Sequence, residues 1–465
     1  MALQIYNTMS RMKEEFVSMT PGEIKMYVCG PTVYDYIHIG NARPMIFFDV
    51  VRSYLENQQY NVNYVVNFTD VDDKLIRKAE ELNTTVADVA ERFIAAYFED
   101  LEGLGIRHAT MHPRVTENMD IILEFIQSLV DKDYAYAKEG DVYFRTRKFA
   151  DYGKLSHQKL DELQFGIRVE VDKRKENPED FVLWKAAKPG EVSWESPWGA
   201  GRPGWHIECS AMARHYLGDT LDIHGGGQDL QFPHHECECA QSEAVTGKPL
   251  SNYWMHNGFI RIDDEKMSKS LGNGILVKDL RKAHKPAAIR YFMLSTHYRN
   301  PLNYNADTIQ QAENSVDRIA NAVNNVKHRL SASDQASPVE ESLNQRLTEI
   351  RHLFHEKMQD DFNTPDAITA IFEWVNEANL LLQKEVVAKA SLEALLDLFD
   401  EMNEVLRIYW KEEELVDADI DQLITERVEA RQNKNWARAD EIRDLLSAQG
   451  IMLEDTPQGM RWRRK

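Results

Sequence analysis

The 465-residue chain has only four cysteines: Cys29, Cys209, Cys237 and Cys239. That is far too few for a disulfide scaffold, so a reduced, cytosolic setting fits and leaves metal binding or catalysis as the roles for these thiols. No run of eighteen apolar residues exists, so no membrane-spanning helix is expected. The first residues, MALQIYNTMSRMKEEF, mix charge and polarity and hold no apolar core of a signal peptide. Internal repeats and low-complexity tracts are also lacking. Positive charge is in deficit: the formal net charge is -21, which argues against a general polyanion binder. A nucleic-acid partner would have to be held by local basic patches.

What is present suffices for several cores. Hydrophobic residues make up 43% of the chain, and the length suggests about three domains. Residues 24–30 (IKMYVCG) form a β-rich run ending in Gly-Pro. Residues 43–55 carry helical apolar spacing, with Pro44 in the first turn where it is tolerated. Residues 62–68 (VNYVVNF) read as a strand and 75–104 as mostly helix. This alternation predicts a parallel sheet with crossover helices, a Rossmann-like α/β arrangement. From about 115 the character changes, with strand-like pieces such as DVYFRTR (141–147) and a Gly/Pro/Trp-rich stretch at 196–205, so an insertion interrupts the sheet. Sheet character returns at 220–224, a helix is expected near Pro233, and a strand pair is expected in 253–263.

After about Asp307 the pattern is helical. Segments 343–358, 365–383 and 391–409 suit an antiparallel bundle. An acidic linker (411–417) precedes a small α+β unit whose end, IMLED-TPQG-MRWRR, reads as a hairpin with Pro457 and Gly459 at the turn. The expected division is therefore 1–114 with 191–250 for the sheet domain and 115–190 for the connective insertion. The segment 251–306 is expected to be a stem-contact region bearing K-M-S-K-S, 307–410 the helical bundle and 417–465 the small terminal domain.

Four constellations carry chemistry. In C-G-P-T-V-Y-D-Y-I-H-I-G-N (29–41), a strand and a Gly-Pro loop lead into a helix opened by His38, Gly40 and Asn41. A helix N-terminus offers unpaired N–H groups and a positive dipole end, suited to phosphate. Gly40 lets a base or ribose approach, and His38 and Asn41 can donate to phosphate oxygens. Alone, the tetrapeptide reads as well as a loop with a capping residue. In K-M-S-K-S (266–270), Lys266 and Lys269 flank small hydroxyl residues and can reach a triphosphate, where a point charge suits a departing pyrophosphate. In G-G-G-Q-D, the glycines including Gly227 permit close ligand approach at a strand's C-terminal end, and Asp229 can accept from a ribose hydroxyl or an α-ammonium group. The fourth is a metal set: Cys29, Cys209, and P-H-H-E-C-E-C at 233–239. On a helix, His234 shares a face with Glu238 at i+4 and with Cys237 at i+3, so both compete for a zinc ion, and spacing leaves that choice open.

The first two motifs together resemble the nucleotide signatures of class I aminoacyl-tRNA synthetases. YVCGPTVYDYIHIGN, NFTDVDDK, FVLWKAAK, SPWGAGRPGWHIECSAM, DIHGGGQDLQFPHHE, EKMSKSLGN and DFNTPDA narrow the resemblance to the cysteinyl-tRNA synthetases, from about Ile5 onward. The resemblance implies one zinc per chain on Cys29, Cys209, His234 and Glu238, and Mg²⁺ accompanying ATP. It implies ATP contacts by Thr32, His38, Gly40, Asn41, Gly227, Asp229 and Lys269, and charge stabilisation by His38, Asn41, Lys266 and Lys269. Thr69, Trp205, His224 and Asp229 are the implied cysteine pocket. The sequence departs from the family pattern in reading HIGN rather than HIGH, and in placing Cys237 and Cys239 around Glu238.

The implied function is activation of L-cysteine to cysteinyl-adenylate and its transfer to the 3′ end of tRNA(Cys), by a cytoplasmic monomer with no membrane association. Cysteine and serine differ little in shape, so an apolar pocket would separate them weakly, whereas thiophilic zinc takes a thiolate that a hydroxyl copies poorly. A cysteine ligase that serves an amino sugar would lack a tRNA-reading tail, and a catalytically silent relative would lack intact signatures. From 427 to 465 there are nine Lys or Arg against six Asp or Glu. Arg427, Arg431, Trp436, Arg461, Trp462 and Arg463 are the expected tRNA contacts, with Trp436 and Trp462 able to stack on splayed bases.

Overall fold

In a computed structural model, the described residues are 2–162, 173–266, 274–333, 335–410, 418–432, 435–448, 451–456 and 459–464. They divide into two compact units. The first comprises Met1–Val316, Ile350–Ile371 and Met402–Ile408; the second comprises Asp317–Glu349, Phe372–Glu401 and Tyr409–Lys465.

The first unit opens with an antiparallel hairpin, β1 (Gln4–Asn7) and β2 (Met12–Glu15), in a stretch whose mixed charge gave no strand signal. The alternating segment then follows: β3 (Glu23–Val28), α1 (Ile39–Asn57), β4 (Asn61–Val66), α2 (Asp73–Leu82) and α3 (Val86–Gly103). α2 begins on Asp72, whose carboxylate accepts from the Lys74 and Leu75 N–H groups, and α3 on a Thr85–Asp88 capping box. The chain next builds α4 (Met119–Asp131) and an antiparallel sheet of β5 (Ala135–Lys138), β6 (Asp141–Phe144), β7 (Phe181–Ala186) and β8 (Gly201–Pro203). It returns through α5 (Trp205–Leu217), β9 (Leu221–Gly227), α6 (Glu236–Thr246) and β10 (Ser251–Asn257).

β10, β9, β3 and β4 lie side by side in that order and all run parallel. β3 and β4 turn inward at four of their six positions each and β9 is almost wholly buried, as expected of a parallel sheet covered on both faces. One continuous core joins this sheet (Tyr27, Val65, Leu221, Trp254) to α4 (Ile122, Phe125, Ile126) and to Trp184 of the antiparallel sheet.

The strands expected in 253–263 both form, but they belong to different sheets. β10 closes the parallel sheet, while β11 (Ile260–Ile262) pairs with β12 (Glu265–Lys266) and β13 (Leu302–Tyr304). Gly258 explains the break: a Cβ there would lie 2.5 Å from the Asn300 carbonyl oxygen, so the chain passes too close to a neighbouring segment to continue straight. Two short helices, α7 (Val277–Ala283) and α8 (Pro286–Leu294), follow β12.

The remaining helices are α9 (Ala306–Ser331), α10 (Glu341–Gln359), α11 (Thr364–Leu382) and α12 (Lys389–Leu406). The border between the two units runs through all four rather than at a loop. Within the first unit, buried Asp361 accepts from the Tyr298 hydroxyl at 2.8 Å and the Arg299 guanidinium at 2.8 Å. Within the second unit, the Trp374 indole donates to the Leu395 carbonyl at 2.7 Å. The second unit ends with α13 (Ala418–Gln432), α14 (Trp436–Ala448) and an antiparallel hairpin of β14 (Ile451–Thr456) and β15 (Gly459–Arg464). Ile442 and Leu446 form the seam of the helix pair, with Leu423 and Ile424 against it. The acidic linker 411–417 and the turn residues 457–458 lie outside the described residues.

Candidate active site and metal centre

Because the sheet is parallel, the C-terminal ends of β3, β4 and β9 open onto one rim, the place where open α/β sheets bind ligands. Cys29 follows β3 directly, and its N–H donates to the Gly225 carbonyl at 3.3 Å. Gly30 comes next because nothing else fits: a Cβ would lie 1.7 Å from the Asn67 carbonyl oxygen. The Gly30 N–H donates to Asn67 Oδ1 at 3.0 Å, and Thr32 bridges Thr69. The loops after β3 and β4 are thus laced together at the rim.

His38 caps α1. Its Nδ1 accepts from the Asn41 N–H at 3.2 Å, while Asn41 Oδ1 accepts from the His38 N–H at 3.1 Å. Both signature side chains are therefore committed to a capping box, and Gly40 lies in the first turn beside the positive helix end. The segment after the lysine loop docks on this helix start: the Ile39 N–H donates to the Ile275 carbonyl at 2.9 Å and the Val277 N–H to the Ile37 carbonyl at 3.0 Å. Lys266 ends β12, paired with Arg261. Residues 267–273, Lys269 among them, lie outside the described residues.

α5 supplies Cys209 and α6 supplies Glu238, while Cys29 follows β3 and His234 lies in the turn of helix just before α6. The donor atoms of Cys29, Cys209, His234 and Glu238 all lie within 4.8 Å of one another. Glu238 is the hub: Oε1 is 2.9 Å from His234 Nε2 and Oε2 is 2.8 Å from His224 Nε2, and the Cys29 thiol donates to Oε1 at 3.2 Å. Burial opposes its charge, yet the facing His224 and His234 imidazoles hold the carboxyl well below the usual carboxylate range. The hydrogen bond with Cys29 lowers the Cys209 thiol to about 6, and burial raises Cys29. Two sulfurs, an imidazole and a carboxylate match zinc chemistry. His224 Nδ1 and His235 Nε2 are buried in the same neighbourhood without hydrogen-bond partners. Such a donor-rich, unsatisfied pocket fits a cation.

The helix expected near Pro233 does begin there: Gln231–His235 is a π-helical turn that runs straight into α6, interrupted only at Phe232, which precedes proline and is extended (φ -139°, ψ 131°). His235 already has helical angles, so His234 still sits one turn above Glu238. Cys237 faces elsewhere: its Sγ is 3.3 Å from the Tyr152 hydroxyl, and it belongs to neither donor group found among the described residues. Cys239 packs in the hydrophobic core.

The candidate cysteine pocket is partly assembled. The Thr69 hydroxyl donates to buried Glu208 Oε2 at 2.7 Å. Trp205 opens α5, is 45% exposed, and its ring stands 4.4 Å from that of His234. His224 is buried and stacks on Trp254 at 4.5 Å. Asp229 is exposed in a short turn beyond β9, where a Cβ on Gly227 would meet its carboxylate. Of the tail residues, Arg427 is only 8% exposed, so it is built into the helix pair rather than offered to a partner, whereas Trp436 is 58% exposed. Arg431 lies at the end of α13, and Arg461, Trp462 and Arg463 lie in β15.

Several neighbours escaped sequence reasoning. His206 Nδ1 is 2.9 Å from His234 Nδ1, and His235 Nδ1 is 2.8 Å from His256 Nε2. His206 was within reach, lying three residues before Cys209 on the same helix. His256 was not, because only the strand pairing brings it in.

A family model described as the class I (C) tRNA synthetase catalytic domain matches residues 15–314. The DALR domain model matches 353–409, and the cysteinyl-tRNA ligase anticodon binding domain model matches 414–463. A cysteine–tRNA ligase of Anoxybacillus flavithermus is 56% identical over 464 residues, covering 100% of both chains. That of Geobacillus thermodenitrificans is 57% identical, covering 100% of this chain and 99% of its own. The chain belongs to the cysteinyl-tRNA synthetase family. Its fold recurs in Mycobacterium tuberculosis methionyl-tRNA synthetase in complex with methionyl-adenylate, with a TM-score of 0.59 at 15% identity over 83% of this chain and 90% of that one. At that identity the likeness speaks for the class I architecture alone. Among the described residues of this family member, no helix is long and apolar enough to cross a membrane.

Proposed function

We propose that the chain activates L-cysteine with ATP to cysteinyl-adenylate and transfers it to the 3′ end of tRNA(Cys), selecting the substrate by its thiolate at a zinc centre. The observation that carries this reading is the quartet Cys29, Cys209, His234 and Glu238 at the sheet rim, of which Cys209, His234 and Glu238 are buried and Cys29 is half-buried. Zinc held there supplies a thiophilic Lewis acid that lowers the pKa of an incoming thiol. The chain's own residues do the rest. Trp205 closes over His234 and limits the pocket to a small side chain. His224, fixed between Trp254 and Glu238, presents an imidazole toward the thiol position. Asp229, exposed at the rim, takes the substrate α-ammonium or a ribose hydroxyl.

For adenylation, the cysteine carboxylate attacks the α-phosphorus of ATP and pyrophosphate departs, with Mg²⁺ accompanying the nucleotide. The positive end of α1, fixed by the His38–Asn41 box with Thr32 and Gly40 nearby, receives the phosphates, and Gly227 lets the ribose approach. Lys266 and Lys269 neutralise the departing charge. For transfer, the terminal ribose hydroxyl of the tRNA attacks the adenylate carbonyl and AMP leaves. Arg431, Trp436, Arg461, Trp462 and Arg463 hold the anticodon end. Cysteine-dependent ATP–pyrophosphate exchange followed by charging of tRNA(Cys) tests the assignment; exchange without charging would instead favour a small-acceptor ligase.

A further inference from the structure

The zinc centre is not a single quartet. The donor atoms of a second set, Cys29, His224, His235 and Glu238, also lie within 4.8 Å of one another, and this set shares Cys29 and Glu238 with the first. Glu238 lies between the two sets, one oxygen on His234 and the other on His224. The shared carboxylate can therefore serve either side without moving its backbone.

His235 is the member that marks the second set as built rather than incidental. It is fully buried, and its Nε2 has no hydrogen-bond partner, yet lies 4.0 Å from Glu238 Oε1. A buried imidazole nitrogen left unsatisfied forfeits its hydration with nothing in return, so it needs a ligand. Its other nitrogen is held by a relay: His235 Nδ1 to His256 Nε2 at 2.8 Å, and His256 Nδ1 to Thr8 Oγ1 at 2.8 Å. A ligating histidine is typically oriented in this way, with one ring nitrogen tied to a polar partner and the other turned to the metal. His224 is likewise fixed, stacked on Trp254 with Tyr27 edge-on at 5.4 Å.

We propose that the centre has two overlapping seats for one divalent cation: a sulfur-rich seat on Cys29, Cys209, His234 and Glu238, and a nitrogen-rich seat on Cys29, His224, His235 and Glu238. This rests on the zinc reading above. Two thiolates favour zinc in the first seat, whereas two imidazoles with one thiolate suit nickel in the second. His256 is a positioning residue for the second seat only.

The test uses the full chain, with zinc content measured by mass spectrometry and affinity by chelator competition. Wild type should hold one zinc, and Cys29→Ser, which breaks both seats, should hold none. Cys209→Ser should retain a zinc at lower affinity, and Cys209→Ser with His235→Gln should lose it. In the Cys209→Ser background His256→Ala should lower affinity roughly 10- to 100-fold, and in the wild-type background it should not. Should these variants fail to fold, X-ray absorption of the wild type alone decides: one sulfur neighbour with nickel against two with zinc. Cys209→Ser as empty as Cys29→Ser, or two sulfurs around nickel, would overturn the second seat. A wild type that binds no zinc at saturation would instead overturn the underlying zinc reading.

Discussion

Replacing Gly30 by alanine should disable the site while leaving most of the fold intact. The new Cβ would sit 1.7 Å from the Asn67 carbonyl oxygen and 2.8 Å from its carbon, both backbone atoms that cannot swing away. A carbon–oxygen contact settles near ~3.3 Å. The ends of β3 and β4 must therefore part by roughly 1.6 Å, the difference between that contact distance and the clash. Such overpacking costs about 1–3 kcal/mol, which a domain of this size can absorb. The displacement falls on Cys29, whose Sγ stands 3.2 Å from Glu238, and on Asn67, whose side chain accepts from the Gly30 N–H. Misplacing a reacting group by about 1 Å can cost on the order of 100-fold in rate, so cysteine-dependent pyrophosphate exchange should drop by about that factor or more. Zinc affinity should fall with it, while far-UV circular dichroism stays near wild type. Gly22→Ala is the control: its φ of +78° makes alanine strained, but nothing lies within 4 Å of the added carbon. That variant should lose about 1 kcal/mol of stability and keep its exchange activity. A Gly30→Ala protein that holds zinc and exchanges within about threefold of wild type would refute the link drawn between this close backbone contact and the placing of the reacting groups.

Lys266→Ala and Lys269→Ala should each lower the adenylation rate by about 10²–10³-fold with little change in cysteine affinity, because they act on charge that develops late; stopped-flow adenylation beside equilibrium cysteine binding checks this. His112 accepts from the Ala109 N–H at Nε2 and donates from Nδ1 to the Val66 carbonyl, and burial lowers its pKa to about 4. The neutral ring's stabilisation is present above the ordinary histidine pKa of ~6.5 and is lost as pH falls toward the folded value, about 2 kcal/mol between pH 7.5 and 5. Urea titrations should show His112→Gln losing correspondingly less stability over that range. Deleting 417–465 should leave exchange near normal and cut tRNA charging steeply, with the deficit against the full chain narrowing as salt rises because the truncated chain makes fewer phosphate contacts; a filter-binding series across salt concentrations measures it.

Much of this was legible because it is local. The parallel sheet followed from alternating strand and helix patterns, and the candidate metal quartet from thiol, imidazole and carboxylate types in 29–41, 205–209 and 233–239. What the sequence left open was settled by angles. Whether Glu238 or Cys237 joins the quartet depends on the helical register from Pro233 onward, which spacing alone does not give. The N-terminal hairpin carried no apolar alternation, so it gave no signal. The His235–His256–Thr8 relay joins residues that only the β9–β10 pairing and the docking of the first hairpin bring together. Arg427 looked like an RNA contact by charge, but burial in the helix pair takes it out of reach.

The most direct test of thiolate selection is optical. Cobalt-substituted protein should be titrated with L-cysteine and with L-serine while the sulfur-to-cobalt charge-transfer band is followed. The expected result is a new, saturable band with cysteine and none with serine, in parallel with a preference for cysteine on the order of 10⁴ in pyrophosphate exchange. An identical spectrum with both amino acids, in protein that still prefers cysteine, would contradict selection at the metal.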